Sequence, residues 1–188
     1  MIIFTALVAL AGVQSTSTPD PLRNDKEMFC VGDEYTADEA RQAASLVLDG
    51  SEAAVQELVR LSAPYASGCK ATWKWDGVRL LTAELIAATD AALDFSEDEL
   101  KTFGFSPVKL EEVYEKLTDK DKFALTLDGN ERLTSAERSA LEERMEAVAR
   151  AAGASTDALP AMKRYFKASS RSLEADYYWT RPAKAAAK

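Results

Sequence analysis

Apolar residues recur along most of the chain with the spacing of amphipathic helices. Between residues 36 and 180 they return every three or four positions, so that each segment has one apolar face. Polar capping residues and glycines interrupt this pattern, and the single alternating stretch, 71–75, is too short to predict a sheet. The pattern predicts an all-α, single-domain bundle of about seven helices over residues 36–180.

The first two helices of this bundle are predicted to form an antiparallel hairpin. Thr36 and Glu39 have the spacing of a capping box, in which each side chain satisfies a backbone N–H, and Gly50 ends the helix. Ser51 caps the second helix, and Pro64 is predicted to stop it because proline lacks the N–H that helix propagation needs. The short connection brings the two helices side by side.

The same signals predict the later helices. Five further capping residues precede apolar rows, namely Asp76, Ser96, Ser106, Thr118 and Thr134. The helix after Asp76 carries one apolar row, formed by Val78, Leu81, Leu85, Ala88 and Ala92. The last helix is predicted from about residue 157 to 178, and residues 181–188 are expected to form a flexible basic tail.

The N-terminal 35 residues have a different pattern. Residues 2–13 form an uncharged apolar run, which is shorter than the roughly 20 residues that span a bilayer and is followed by small residues. Residues 1–15 are therefore predicted to be a signal peptide, with a retained anchor or a buried element as alternatives. Pro19 and Pro21 predict an extended lead-in over residues 16–35.

Cys30 and Cys69 are the only cysteines in the chain. An even cysteine count in an exported protein predicts a disulfide, which would staple the base of the helical hairpin. Closing a loop of about 40 residues would stabilise the fold by about 4 kcal/mol in the chain-entropy model. The expected location is the periplasm or the exterior of the cell, and two free thiols are the alternative if the chain is not exported.

The chain contains no histidine, so the usual general base and the commonest metal ligand are both missing. A glycine-rich phosphate loop is also absent from the sequence. Carboxylates are plentiful, and hydrolysis by a pair of them is the remaining enzymatic alternative. No particular glutamate in an apolar setting indicates such a site, and the sequence predicts a protein that is not an enzyme.

The segment TLDGNERLTSAE, residues 126–137, resembles the twelve-residue calcium loop of EF-hand proteins. The resemblance assigns calcium ligands to Asp128, Asn130, Glu137 and the carbonyl of Arg132. Thr126 and Glu131 depart from the pattern, which expects an aspartate and a glycine there, and no second loop pairs with this one. A turn followed by a Thr-x-x-Glu capping box explains the same residues, so calcium is one candidate ligand beside an ordinary helix connection.

Charge is unevenly distributed along the chain. Residues 163–188 contain seven basic and two acidic side chains, whereas the whole chain has a net charge of −8. Lys163, Lys167 and Arg171 recur at intervals of four and form a basic stripe on one helix face. This stripe would bind an acidic partner or anionic lipid headgroups. The alternatives are that it is solvated or that it lies against the acidic body of the protein. The acidic charge of that body argues against nucleic-acid binding.

Two tryptophans, Trp73 and Trp75, lie beside lysines and are candidates for a partner-binding patch, with core packing as the alternative. These features favour an exported, non-catalytic helical interaction protein of the cell envelope. Its partner would be another envelope or secreted protein, and its role that of an accessory subunit or an inhibitor or immunity-type binder. A calcium-binding module and a carboxylate hydrolase are the alternative functions.

Overall fold

The computed structural model describes residues 25–180, and this part of the chain is helical without strands. Its helices are α1 (Asp25–Met28), α2 (Ala37–Asp49), α3 (Glu52–Trp73), α4 (Gly77–Lys101), α5 (Pro107–Tyr114), α6 (Asp119–Leu125), α7 (Leu127–Glu131), α8 (Ser135–Ala151) and α9 (Leu159–Thr180). The predicted all-α bundle is confirmed. The predicted signal peptide, residues 1–15, and the predicted tail, residues 181–188, lie outside the described residues.

Helices α2 and α3 form the predicted antiparallel hairpin. The Thr36 hydroxyl accepts from the backbone N–H of Glu39, and the Glu39 carboxylate accepts from the backbone N–H of Thr36. Gly50 ends α2 at a φ of 67°, a left-handed conformation that favours glycine. The Tyr65 hydroxyl donates to Glu39 at 2.6 Å, so the beginning of α2 lies beside the second half of α3.

Two predicted helix boundaries are wrong. Helix α3 continues through Pro64 to Trp73, because Pro64 is exposed and the carbonyl that loses its N–H partner lies on the solvent side. Helix α4 continues through Ser96, which does not cap a helix. Its hydroxyl instead donates to the Ala92 carbonyl at 2.7 Å, so this buried polar group is satisfied within the helix.

Helix α4 is the central element and packs mainly against α9 and α2. Small side chains make this close packing possible, because they let the helix backbones approach one another. The buried alanines and serines of α4 and α9 are Ala83, Ala87, Ala88, Ala92, Ser96, Ala161, Ala168, Ser170 and Ala175.

The described part of the lead-in, residues 25–35, corrects the predicted extended conformation. It forms α1 and a 3-10 turn, because helical turns let the apolar Met28 and Val31 bury themselves in the core. The predicted disulfide between Cys30 and Cys69 is present and ties this segment to α3. Cys69 lies inside α3 rather than beyond its end, since α3 does not stop at Pro64.

Candidate functional site

An apolar groove lies between α3, α4, α7 and α9 and encloses about 440 Å³. Its apolar lining, called the floor below, consists of Val55, Val78, Leu81, Leu85 and Leu127. Four carboxylates border this floor, namely Glu52, Asp128, Glu131 and Glu174. No lysine or arginine is among the lining residues, so the groove combines an apolar floor with an acidic rim.

The floor is open to solvent at the beginning of α4. Val78 is 65% exposed and Leu81 is 38% exposed, although both belong to the apolar row that also contains the buried Ala88 and Ala92. The row leaves the core at its N-terminal end because no other described helix covers it there. An apolar surface that stays open beside polar residues is typical of a binding site.

Helix α7 forms one wall of the groove, and two side chains of α9 hold it in place. The Glu174 carboxylate accepts from the backbone N–H of Leu127 at 2.7 Å and of Asp128 at 3.1 Å. Arg171, one turn earlier on α9, donates to the carbonyl of Leu125 at 3.2 Å. These two side chains therefore form hydrogen bonds with a carbonyl at the end of α6 and with N–H groups at the start of α7. Such terminal backbone groups have no partner within their own helix.

Arg171 also donates to the carbonyl of Val47 in the last turn of α2. Its side chain is buried, and this burial lowers the pKa of the guanidinium to about 10. Gly50 leaves room for this contact, because a Cβ atom there would lie 2.7 Å from a terminal nitrogen of Arg171. One buried cation thus joins the C-terminal ends of α2 and α6, where helix dipoles favour positive charge.

Gly129 explains how α7 packs so closely against α6. A Cβ atom at this position would overlap the carbonyl oxygen of Phe123 and lie 2.7 Å from its carbonyl carbon. The Tyr178 hydroxyl donates to Asp128 at 2.8 Å, which raises the pKa of the phenol and ties α7 to the end of α9. The groove wall is therefore fixed by several independent contacts.

An aromatic cluster holds the start of α4, the helix that carries Val78. The Trp75 indole N–H donates to Glu27 at 2.8 Å, and its ring meets the Trp179 ring edge to face at 5.9 Å. Arg79 lies over the Trp179 ring at 3.8 Å and reaches Glu27 across 3.8 Å. This cluster fixes the start of α4 against the end of α9, and with it the position of Val78.

The residues of the calcium-like segment serve the fold in other ways. Thr126 caps α7, and the turn predicted at residues 128–130 is itself part of that helix. Glu137 completes the predicted capping box with Thr134, which lowers the pKa of the Glu137 carboxyl. Asn130 accepts from Arg138, and Arg132 ends α7 as its C-cap residue. Within residues 25–180 no group of acidic or cysteine side chains is arranged to hold a metal ion.

The basic stripe faces the protein itself. Lys163 lies 3.2 Å from Glu142 and 3.5 Å from Glu146, and Lys167 lies 3.2 Å from Glu142, so both pair with α8. Arg171 is 3% exposed and donates hydrogen bonds to the carbonyls at the ends of α2 and α6. All three residues are therefore engaged within the bundle, which is the alternative in which the stripe lies against the acidic body.

The tryptophans are also core residues rather than an exposed patch. Trp75 is buried, and Trp73 is half-buried against the same cluster of apolar side chains. The groove was not predicted from the sequence, because Val78 and Leu81 have the same spacing as the core residues of α4.

One buried acid stands apart from the groove. Glu84 of α4 is 2% exposed. Burial raises the pKa of Glu84 to about 7. Burial also raises the pKa of the nearby Tyr35, and the charge of Glu84 acts in the same direction. The Tyr35 hydroxyl shares a 2.6 Å hydrogen bond with Ser62.

None of the helices between residues 25 and 180 is long and apolar enough to cross a bilayer. No family model matches the chain, and neither a curated protein nor a solved structure shows significant similarity to it. Its function is therefore inferred from the residues of the groove.

Proposed function

We propose that the protein is an exported, non-catalytic interaction protein of the cell envelope that binds a helical segment of another protein in the groove. An accessory subunit and an inhibitor or immunity-type binder both fit this function. The observation that carries the proposal is the open apolar floor at Val78 and Leu81, which lies between walls that are held rigidly. Export is supported by the Cys30–Cys69 disulfide, since such bonds persist in oxidising compartments.

The openness of the floor favours a macromolecular ligand. Sites for small molecules bury most of the ligand surface, whereas Val78 in the floor of this groove remains 65% exposed. The described residues contain no strand, so they offer no sheet edge to which a peptide strand could be added. An amphipathic helix that lays its apolar face on the floor is the recognition mode that suits walls made of helices.

The proposal is tested with a labelled amphipathic peptide of about 18 residues, or five helical turns, with leucines on one face and glutamines elsewhere. We expect this neutral peptide to bind the full protein in a fluorescence anisotropy titration. The Val78→Asn substitution should weaken binding about tenfold, because a valine side chain contributes about 1.5 kcal/mol when it is buried.

The chain offers a closely matched control. Val108 is 67% exposed and, like Val78, is the second residue of its helix, but it does not line the groove. The Val108→Asn variant should bind the peptide as the unmodified protein does. Absence of binding, or equal weakening by the two substitutions, would contradict the proposed function.

A further inference from the structure

We propose that the helix bound by the groove is cationic, with lysine or arginine residues flanking its apolar face. This inference rests on the proposed function, because it names the kind of partner that the groove selects. It follows from the placement and the pairing of the four rim carboxylates, which are considered in turn.

The rim carboxylates surround the floor on three helices. Glu52 belongs to α3, Asp128 and Glu131 belong to α7, and Glu174 belongs to α9. A helix lying on Val78 and Leu81 would therefore have carboxylates along both of its flanks. Basic residues next to the apolar face of that helix would come within reach of them, whereas acidic residues would meet like charge.

The second observation is the charge pairing at the rim. Some carboxylates elsewhere on the surface pair with neighbouring cations, as Asp38 does with Arg41 and Asp98 with Lys101. None of the four rim carboxylates forms an ion pair within the described residues. Glu52 accepts only from the amide of Gln56, and Glu174 accepts from the two backbone N–H groups of α7. The groove consequently keeps a negative charge that a cationic partner would balance.

The net charge of the chain acts in the same direction. A charge of −8 attracts cationic partners over distances of about 8 Å at physiological ionic strength and raises their association rate. Anionic lipid headgroups and nucleic acids would be repelled by the same rim. An amphipathic helix with basic flanks matches both the apolar floor and the acidic rim. Anionic lipid headgroups and nucleic acids do not match the rim, because they carry the same charge.

The experiment compares three peptides that share one leucine pattern and carry lysine, glutamine or glutamate at the flanking positions. At about 50 mM salt we expect the lysine peptide to bind at least tenfold more tightly than the glutamine peptide, and the glutamate peptide to bind most weakly. The advantage of lysine should shrink at about 300 mM salt, because the Debye length falls with ionic strength.

Two pairs of variants locate the effect. Glu52→Gln with Glu131→Gln should remove most of the lysine preference, so that the lysine and glutamine peptides bind with similar affinity. Glu112→Gln with Glu143→Gln is the control, since it removes the same charge from exposed positions on α5 and α8 outside the groove. The lysine peptide should also be weakened by Val78→Asn, which separates groove binding from general attraction to an acidic protein.

Equal affinities for the lysine and glutamine peptides would overturn this inference and leave the proposed function standing. A lysine preference that survives the rim variant, or that responds equally to the control variant, would overturn it too. If none of the three peptides binds, the inference and the proposed function both fail.

Discussion

The guanidinium of Arg171, on the last helix, donates a hydrogen bond to the backbone carbonyl of Val47, 124 residues earlier in the chain. The same side chain reaches the Leu125 carbonyl, and the Glu174 carboxylate one turn later holds the start of α7. One face of α9 therefore contacts the end of α2 in the hairpin, the end of α6 and the start of α7, which forms a wall of the groove. The buried charge has a structural purpose, because it satisfies carbonyls that the helix ends leave unpaired.

Arg171→Met is expected to lower the free energy of unfolding by about 3 kcal/mol, because it leaves buried carbonyls of Val47 and Leu125 without a donor. Lys167→Met is the comparison, since Lys167 makes a partly exposed ion pair with Glu142 that is worth about 1 kcal/mol or less. Urea unfolding followed by circular dichroism measures both. If Arg171→Met lowers the free energy of unfolding no more than Lys167→Met does, the hydrogen bonds from Arg171 to the buried carbonyls do not stabilise the fold.

Gly129→Ala is expected to destabilise the protein by about 3 kcal/mol or more, since the added methyl overlaps backbone atoms of Phe123 that have little freedom to move. Gly68→Ala provides the opposite case. Gly68 lies within α3 with no neighbouring atom within 4 Å of an added Cβ, so alanine there should stabilise by about 0.5–1 kcal/mol. Thermal unfolding of the two variants should shift in opposite directions, and a mild effect at Gly129 would refute the close contact between α6 and α7.

The free energy of unfolding is expected to depend on pH because of the buried Glu84. Its pKa is about 7 in the folded protein and 4.5 ordinarily, so between these values the folded state binds more protons than the unfolded state. The free energy of unfolding therefore decreases as the pH rises through this window, by about 3 kcal/mol from this one group. Glu84→Gln cannot ionise and should be more stable than the unmodified protein at pH 8, with a much smaller difference at pH 5. Chemical unfolding at both values tests this, and an equal difference at the two pH values would contradict it.

Calcium is expected to leave the melting temperature essentially unchanged at about 1 mM. Glu137 closes the capping box with Thr134, and Asp128 accepts from Tyr178, so the calcium-like segment uses these oxygens within the fold. A site occupied at 100 times its dissociation constant would add about 2.7 kcal/mol of stability. An upward shift that Glu137→Gln abolishes would reverse this prediction, since glutamine keeps the capping box and removes only the charge.

Local signals in the sequence predicted much of the helical framework. Thr36, Asp76, Ser106 and Thr134 cap helices as expected, because capping depends on side chains and backbone groups within one turn. The Cys30–Cys69 disulfide also followed from the cysteine count. These features need little knowledge of the tertiary structure.

The wrong predictions share a different origin, which is tertiary packing. Pro64 and Ser96 lie within long helices because contacts along α3 and α4 outweigh the local preference for a break. The spacing of Lys163, Lys167 and Arg171 correctly indicated one helix face but did not indicate what that face contacts. Val78 and Leu81 have the periodicity of core residues, and only the three-dimensional arrangement reveals that no helix within residues 25–180 covers them.

The groove is tested most directly by nuclear magnetic resonance of the isotope-labelled protein during titration with the lysine peptide. We predict that the amide and methyl resonances that move are those of the floor and its walls, above all at Val55, Val78, Leu81 and Leu127. Resonances of Val108 and the exposed face of α8 should stay in place. Shifts confined to surfaces outside the groove, or no shifts at saturating peptide, would contradict the assignment of the groove as the binding site.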